Sequence, residues 1–113
     1  MAKRDKLQLR VFEIYKSAQK MPKSEIFGLI SQFKRSAVSI SSNIAEGFGR
    51  SGKKEKSYFY NIAFGSLLEL ENQMMICRDL SYITKIKFNE LYNKMIEVEK
   101  LLNSLIKSVK NYN

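Results

Sequence analysis

Residues 31–55 read SQFKRSAVSISSNIAEGFGRSGKKE. Around this stretch Ile26, Ile30, Phe33, Ala37, Ile40 and Ile44 recur in steps of four and three, the rhythm of one helical face. A second side carries Gln32, Arg35, Ser39, Ser42, Asn43 and Glu46, a stripe too polar for a core and too small and regular for an ordinary solvated face. Residues spaced by one or two turns project from one ridge of a helix. Two readings follow. The first is a polar network at a close helix–helix contact or a subunit interface, with Asn43 and Glu46 pairing to neighbouring groups and Arg35 meeting a carboxylate from another helix or subunit. The second is direct contact with a ligand. Short serine side chains favour the first.

Working outward, Pro22 disfavours helix at the residue before it, so an earlier helix over about Leu7–Ala18 stops at KMPK. Ser24 is placed to cap the second helix and Glu25 to favour its positive N-terminus, with the helix running to about Glu46. The segment GFGRSG supplies the positive-φ freedom of a tight connector. It lacks the Gly-Lys-Ser/Thr ending and preceding strand of a phosphate loop. Beyond it, Phe59, Ile62, Ala63, Ser66, Leu67, Leu70, Met74 and Cys77 line a third helix. Gly65 inside that helix costs ~1 kcal/mol relative to Ala, which predicts close approach of another helix there. Phe88, Leu91, Met95, Val98, Leu102, Leu105 and Val109 form an unbroken seam on a fourth helix, and Tyr92, Ile96, Leu101 and Ile106 lie off it. Long helices joined by short loops make antiparallel neighbours. The expected fold is all-α, an antiparallel up-down-up-down four-helix bundle in one domain over residues 1–113, with apolar residues on several faces pointing to an oligomer.

The chain of 113 residues is 44% hydrophobic, enough for a core, and carries 20 Lys and Arg against 11 Asp and Glu, a formal charge of +9. That balance favours a polyanionic partner. With no histidine, Ser-His and Cys-His pairs and histidine metal ligands are excluded, and no Walker loop or Cys cluster appears. The expectation is a non-enzymatic protein with no catalytic residues, no metal and no cofactor. Cys77, the single cysteine, lies in the apolar phase of its helix and reads as a buried thiol. No apolar run reaches the ~20 residues of a membrane span and no signal core opens the chain, so the protein is expected in the cytoplasm without membrane contact.

In the expected bundle the start of helix one, the second loop and the end of helix four share one end. That end gathers Lys3, Arg4, Lys6, Arg50, Lys53, Lys54, Lys56, Lys107 and Lys110 against Asp5 and Glu55. The opposite end gathers Lys16, Lys20, Lys23, Arg78, Lys85 and Lys87 against Glu25 and Asp79. The termini end is therefore the expected nucleic-acid surface, for RNA or DNA. A protein-interaction scaffold recruiting an acidic protein partner is the alternative. Tyr58, Phe59, Tyr60 and Phe64 have helical spacing and read as core or interface more than as a base-stacking platform.

The blocks MPKSE, GLISQFKRSAVSISSNIAEGFGR and IAFGSLLELENQ, in that order, resemble the 23S rRNA intervening-sequence four-helix-bundle family from about Val11 to the end. SQFKRSAVSISSNIAEG is the most specific of these. The family includes the accessory variability proteins of diversity-generating retroelements, and other members are encoded within rRNA insertions. The resemblance implies a ring-like homopentamer whose basic surface binds nucleic acid and a reverse transcriptase. MAKR stands in place of the family's usual aromatic opening, which implies a shorter first helix.

Overall fold

The computed structural model describes residues 2–18 and 27–110. Four helices and no strands occur among the described residues: α1 Lys3–Ala18, α2 Phe27–Phe48, α3 Lys53–Asp79 and α4 Lys85–Lys110. The proposed roles of Pro22, Ser24 and Glu25 lie outside the described residues, as do Lys20 and Lys23.

Two helix ends extend past the sequence reading: α1 starts before Leu7, and α2 runs to Phe48 rather than about Glu46. Helix α1 begins at Lys3, one turn before the first apolar residue, Leu7, where the sequence reading began it. The Lys6 amide donates to the Ala2 carbonyl at 3.0 Å, and Asp5 places negative charge in the positive first turn. Helix α3 begins at Lys53, straight after Gly52, which is extended at φ −85° and ψ 139°. No described glycine has positive φ, and the left-handed residue is Ser81 at φ 59°, in the turn after α3. There the Tyr82 amide reaches back to the Cys77 carbonyl at 2.8 Å, closing α3 in place of a glycine cap. Thr84 then caps α4, its Oγ1 accepting from the Lys87 amide at 3.1 Å.

The faces read from periodicity are the buried faces. Ile30, Phe33, Ala37, Ile40 and Ile44 from α2 meet Leu7, Val11 and Ile14 of α1, Ala63, Leu67, Leu70 and Met74 of α3, and the α4 seam in one continuous core. Not every expected position is buried: Ile62 is 37% exposed, and Phe59 and Leu105 are only half-buried, while Tyr60 and Ile106 take inward places. Helix α1 packs on α2 and α4, and α3 packs on the same two.

Cross-helix partners run in reverse order along each pair. Between α1 and α4 they are Lys3 with Ser104, Arg10 with Glu97 and Glu13 with Lys94. Between α2 and α3, Ser39 meets Ser66, and Gly47 meets Tyr60. Between α1 and α2, Gln8 donates to the Ser41 carbonyl and Lys34 lies over the Tyr15 ring. The body measures 48 × 22 × 22 Å. Among the described residues no helix is long and apolar enough to cross a membrane.

Candidate nucleic-acid interface

The cations read as one cluster come from α1 (Lys3, Arg4, Lys6), the turn after α2 (Arg50), the start of α3 (Lys53, Lys54, Lys56) and the last turn of α4 (Lys107, Lys110). Phe48 joins two of these segments. Its ring, 48% exposed, lies 4.2 Å from the Arg4 guanidinium and 5.5 Å from Lys56 Nζ, so α1 and α3 present charge around the end of α2. Lys53, Lys54 and Lys110 border one depression with Ser57 and Val109, which brings the end of α4 against the start of α3. Lys3 Nζ donates to Ser104 Oγ, tying the start of α1 to α4. Lys6 and Lys107 are exposed one turn from Lys3 and Lys110 on the same helices.

Several of the nine cations are already engaged within the fold: besides Lys3 on Ser104, Arg4 pairs with Asp5 at 3.3 Å, and Arg50 and Lys56 are held more extensively. Arg50 meets Glu46 at 2.9 Å and Glu55 at 3.8 Å, and lies over the Phe59 ring at 5.0 Å. Lys56 Nζ donates to the Gly47 and Phe48 carbonyls at 3.2 and 3.0 Å, satisfying the negative C-terminal end of α2. Neither interaction was legible from charge counting. At the opposite end Arg78 pairs with Asp79 at 3.0 Å and Lys87 with Glu90 at 3.9 Å.

The α2 stripe divides in two. Its lower half is an internal network: the Ser39 and Ser66 hydroxyls share a hydrogen bond of 2.7 Å, and Asn43 Nδ2 donates to the Ser39 carbonyl at 2.8 Å and its hydroxyl at 3.2 Å. Glu46 pairs with Arg50, in the turn beyond its own helix. Ser42 is exposed. Gln32 and Arg35 instead line a groove of about 600 Å³ between α2 and α3, with Glu69, Asn72, Gln73 and Ile76 across from them. Arg35 makes no ion pair with the described residues, so the expected carboxylate partner is not found among them. Gln73 Oε1 is buried there and accepts no hydrogen bond from the described residues.

Charge counting also missed a cluster on the α1–α4 seam. Arg10 donates to Glu97 at 2.7 Å and to Glu13 at 2.6 Å, and Lys94 reaches Glu13 at 3.0 Å. Lys94 and then Arg10, hydrogen-bonding to it, hold the Glu13 carboxyl below its ordinary range. Between α3 and α4, burial and then the neighbouring Glu99 push Glu71 upward. Burial also raises the Cys77 thiol, which disfavours the reactive thiolate. No group of three or more metal-ligating side chains occurs among the described residues.

A family model described as 23S rRNA-intervening sequence protein matches residues 5–104. The crystal structure of a protein of unknown function from the S23 ribosomal protein family of Bacteroides thetaiotaomicron superposes with a TM-score of 0.81 at 24% identity. The match covers 94% of this chain and 99% of that one, and it shows a shared fold. No curated protein matches.

Proposed function

The chain belongs to the 23S rRNA-intervening sequence protein family, and on that premise we propose a non-enzymatic, basic, homo-oligomeric protein that binds RNA or DNA through its termini end. The observation that carries the proposal is the convergence of cations from separate segments around Phe48 and around the Lys53–Lys54–Lys110 depression. Charges gathered within a Debye length of ~8–10 Å act on a phosphate backbone as one field. The reversed cross-helix pairings support an up-down-up-down bundle in one domain over residues 1–113. Family resemblance supports a homopentamer acting in the cytoplasm, as an accessory subunit to a reverse transcriptase or in association with rRNA insertions. The half of the stripe bound up in Ser39, Asn43 and Ser66 is assigned a structural role.

Binding of a labelled single-stranded RNA and a DNA duplex at about 50 and 200 mM salt tests this reading. Neutralising Lys53, Lys54 and Lys110 together to Gln weakens binding to every sequence and flattens the duplex salt dependence by up to about 0.9 per lost phosphate contact. Neutralising Lys85 and Lys87 does less, per charge. Equal losses per charge, or binding indifferent to salt, would falsify the placement. Light scattering reads the oligomer directly, against a chain mass of 13.2 kDa.

A further inference from the structure

The face between α1 and α2 carries a second surface, unlike the basic end. Val11 and Ala37 floor an apolar groove of about 200 Å³, and Phe12, Tyr15 and Val38 wall it. Phe12 is 56% exposed and Val38 51%, large apolar side chains left in water by the fold. Two cations stand at one end of this groove. Lys16 Nζ lies 5.5 Å from the Phe12 ring centre, and Lys34 Nζ lies 5.7 Å from that of Tyr15. No carboxylate lines the groove, and neither lysine has an ion pair among the described residues. At the other end Gln8 donates to the Ser41 carbonyl, while its Oε1 is buried and accepts nothing from the described residues.

We propose that this groove docks an acidic amphipathic helix of a partner protein, with one large apolar side chain seated between Phe12 and Val38 and carboxylates one turn away against Lys16 and Lys34. This goes beyond nucleic-acid binding and uses none of the cations assigned to it. The volume falls below the ~300–1,000 Å³ of small-molecule pockets and suits a single anchor side chain of a helix laid in a groove. Charge selects the occupant. A second copy offers this lysine-flanked face few free carboxylates, because most carboxylates described in this chain already have cation partners. Nucleic acid gains nothing from the aliphatic floor. An acidic helix satisfies both the apolar wall and the unpaired ammonium groups.

The test uses the full chain and two fluorescein-labelled synthetic amphipathic helices of about 18 residues, five turns, with the same Leu-rich apolar face. One bears Glu on its polar face and the other Lys. Fluorescence anisotropy is expected to show the Glu helix binding at least about tenfold tighter than the Lys helix. Val38→Asp should weaken it by at least that factor, and Lys16→Glu with Lys34→Glu should exchange the preference. Phe12→Ser is the parallel variant on α1, and circular dichroism confirms that each variant keeps its helices. Val38→Asp should leave both the light-scattering mass and RNA binding at wild-type values. No binding below about 1 mM, or equal affinity for the two helices, overturns the proposal. A fall in mass with Val38→Asp would instead give the groove to a second copy, and a loss of RNA binding would give it to nucleic acid. The nucleic-acid reading fails on the lysine variants at the termini end or on salt indifference, neither of which involves this groove, so the two are separable.

Discussion

The α2–α3 and α1–α4 seams join neighbouring helices of one core by opposite means. Around Ser39 and Gly47 the first is uncharged and close. An added Cβ on Gly47 would lie 2.7 Å from Tyr60 Cε1, and Ser39 and Ser66 touch through their hydroxyls. The second holds Arg10, Glu13, Lys94 and Glu97 in a balanced set whose side chains remain about a quarter to a third exposed. Shape acts at contact distance and ignores pH and salt, whereas a half-solvated ion network depends on both. The contrast also separates charges that serve the fold from those left for partners. The α1–α4 set is paired off, while Lys16, Lys34 and Arg35 meet no carboxylate among the described residues.

The contrast breaks first at Gly47. Alanine there forces the buried Tyr60 ring aside, with Phe59 Cβ at 3.2 Å blocking the other direction. Overpacking of about 1–3 kcal/mol outweighs the roughly 0.5–1 kcal/mol that Ala gains in helix propensity. Gly47→Ala should therefore destabilise by about 1–2 kcal/mol in urea unfolding, and a neutral or stabilising result would mean the seam is looser than these distances. Ser66→Ala comes next. It removes one partner of a buried hydroxyl pair but leaves Ser39 bonded to Asn43, so a loss of about 1 kcal/mol is expected. Both losses should be the same at low and high salt.

Gly65 sharpens the comparison by sign. An added Cβ there meets nothing within 4 Å, and the residue is exposed in mid-helix. Gly65→Ala should stabilise the chain by about 0.5–1 kcal/mol. A loss of oligomer mass on that substitution would show that the close approach expected at Gly65 comes from another copy.

The helices and their buried faces were legible because hydrophobic period depends only on local spacing, as the α2 series from Ile30 to Ile44 shows. The two glycines were misread because a glycine's cost is local whereas its reason is a neighbour that sequence does not place. The AFGS glycine faces open space, and the one in AEGF receives the Tyr60 ring. The candidate basic end was read from helix order alone. That Arg50 and Lys56 are partly consumed by Glu46, Glu55 and the α2 carbonyls was not, since it depends on side-chain reach at a turn. Arg10 and Glu13 stand three apart on one helix and announce a local pair, but Lys94 and Glu97 join them only through the antiparallel register of α1 on α4. The α1–α2 groove escaped notice because Phe12 and Val38 sit off the core phase of two separate helices.

The smallest effect lies on the charged seam, and its sign is fixed by the direction in which the fold moves each carboxyl. Glu13 is held below its ordinary value of 4.5 by Lys94 and then Arg10, so folding favours its charged form. Its contribution is present above the unfolded value and is lost as pH falls through the lower folded one. For a pair this open to solvent, Glu13→Gln should cost about 0.5 kcal/mol at pH 7 and low salt. That difference from wild type should shrink in high salt and vanish below the carboxylate range. Glu71 runs the other way, because burial and then Glu99 raise it, so folding favours its protonated form and neutral pH works against it. Glu71→Gln should leave stability at pH 7 unchanged or slightly higher, and remove part of the stabilisation that wild type gains as pH falls from neutrality. Thermal melts of the two variants against wild type from about pH 3 to 7 should therefore diverge in opposite senses. Parallel curves would mean that the α1–α4 network contributes no more than any scattered surface pair.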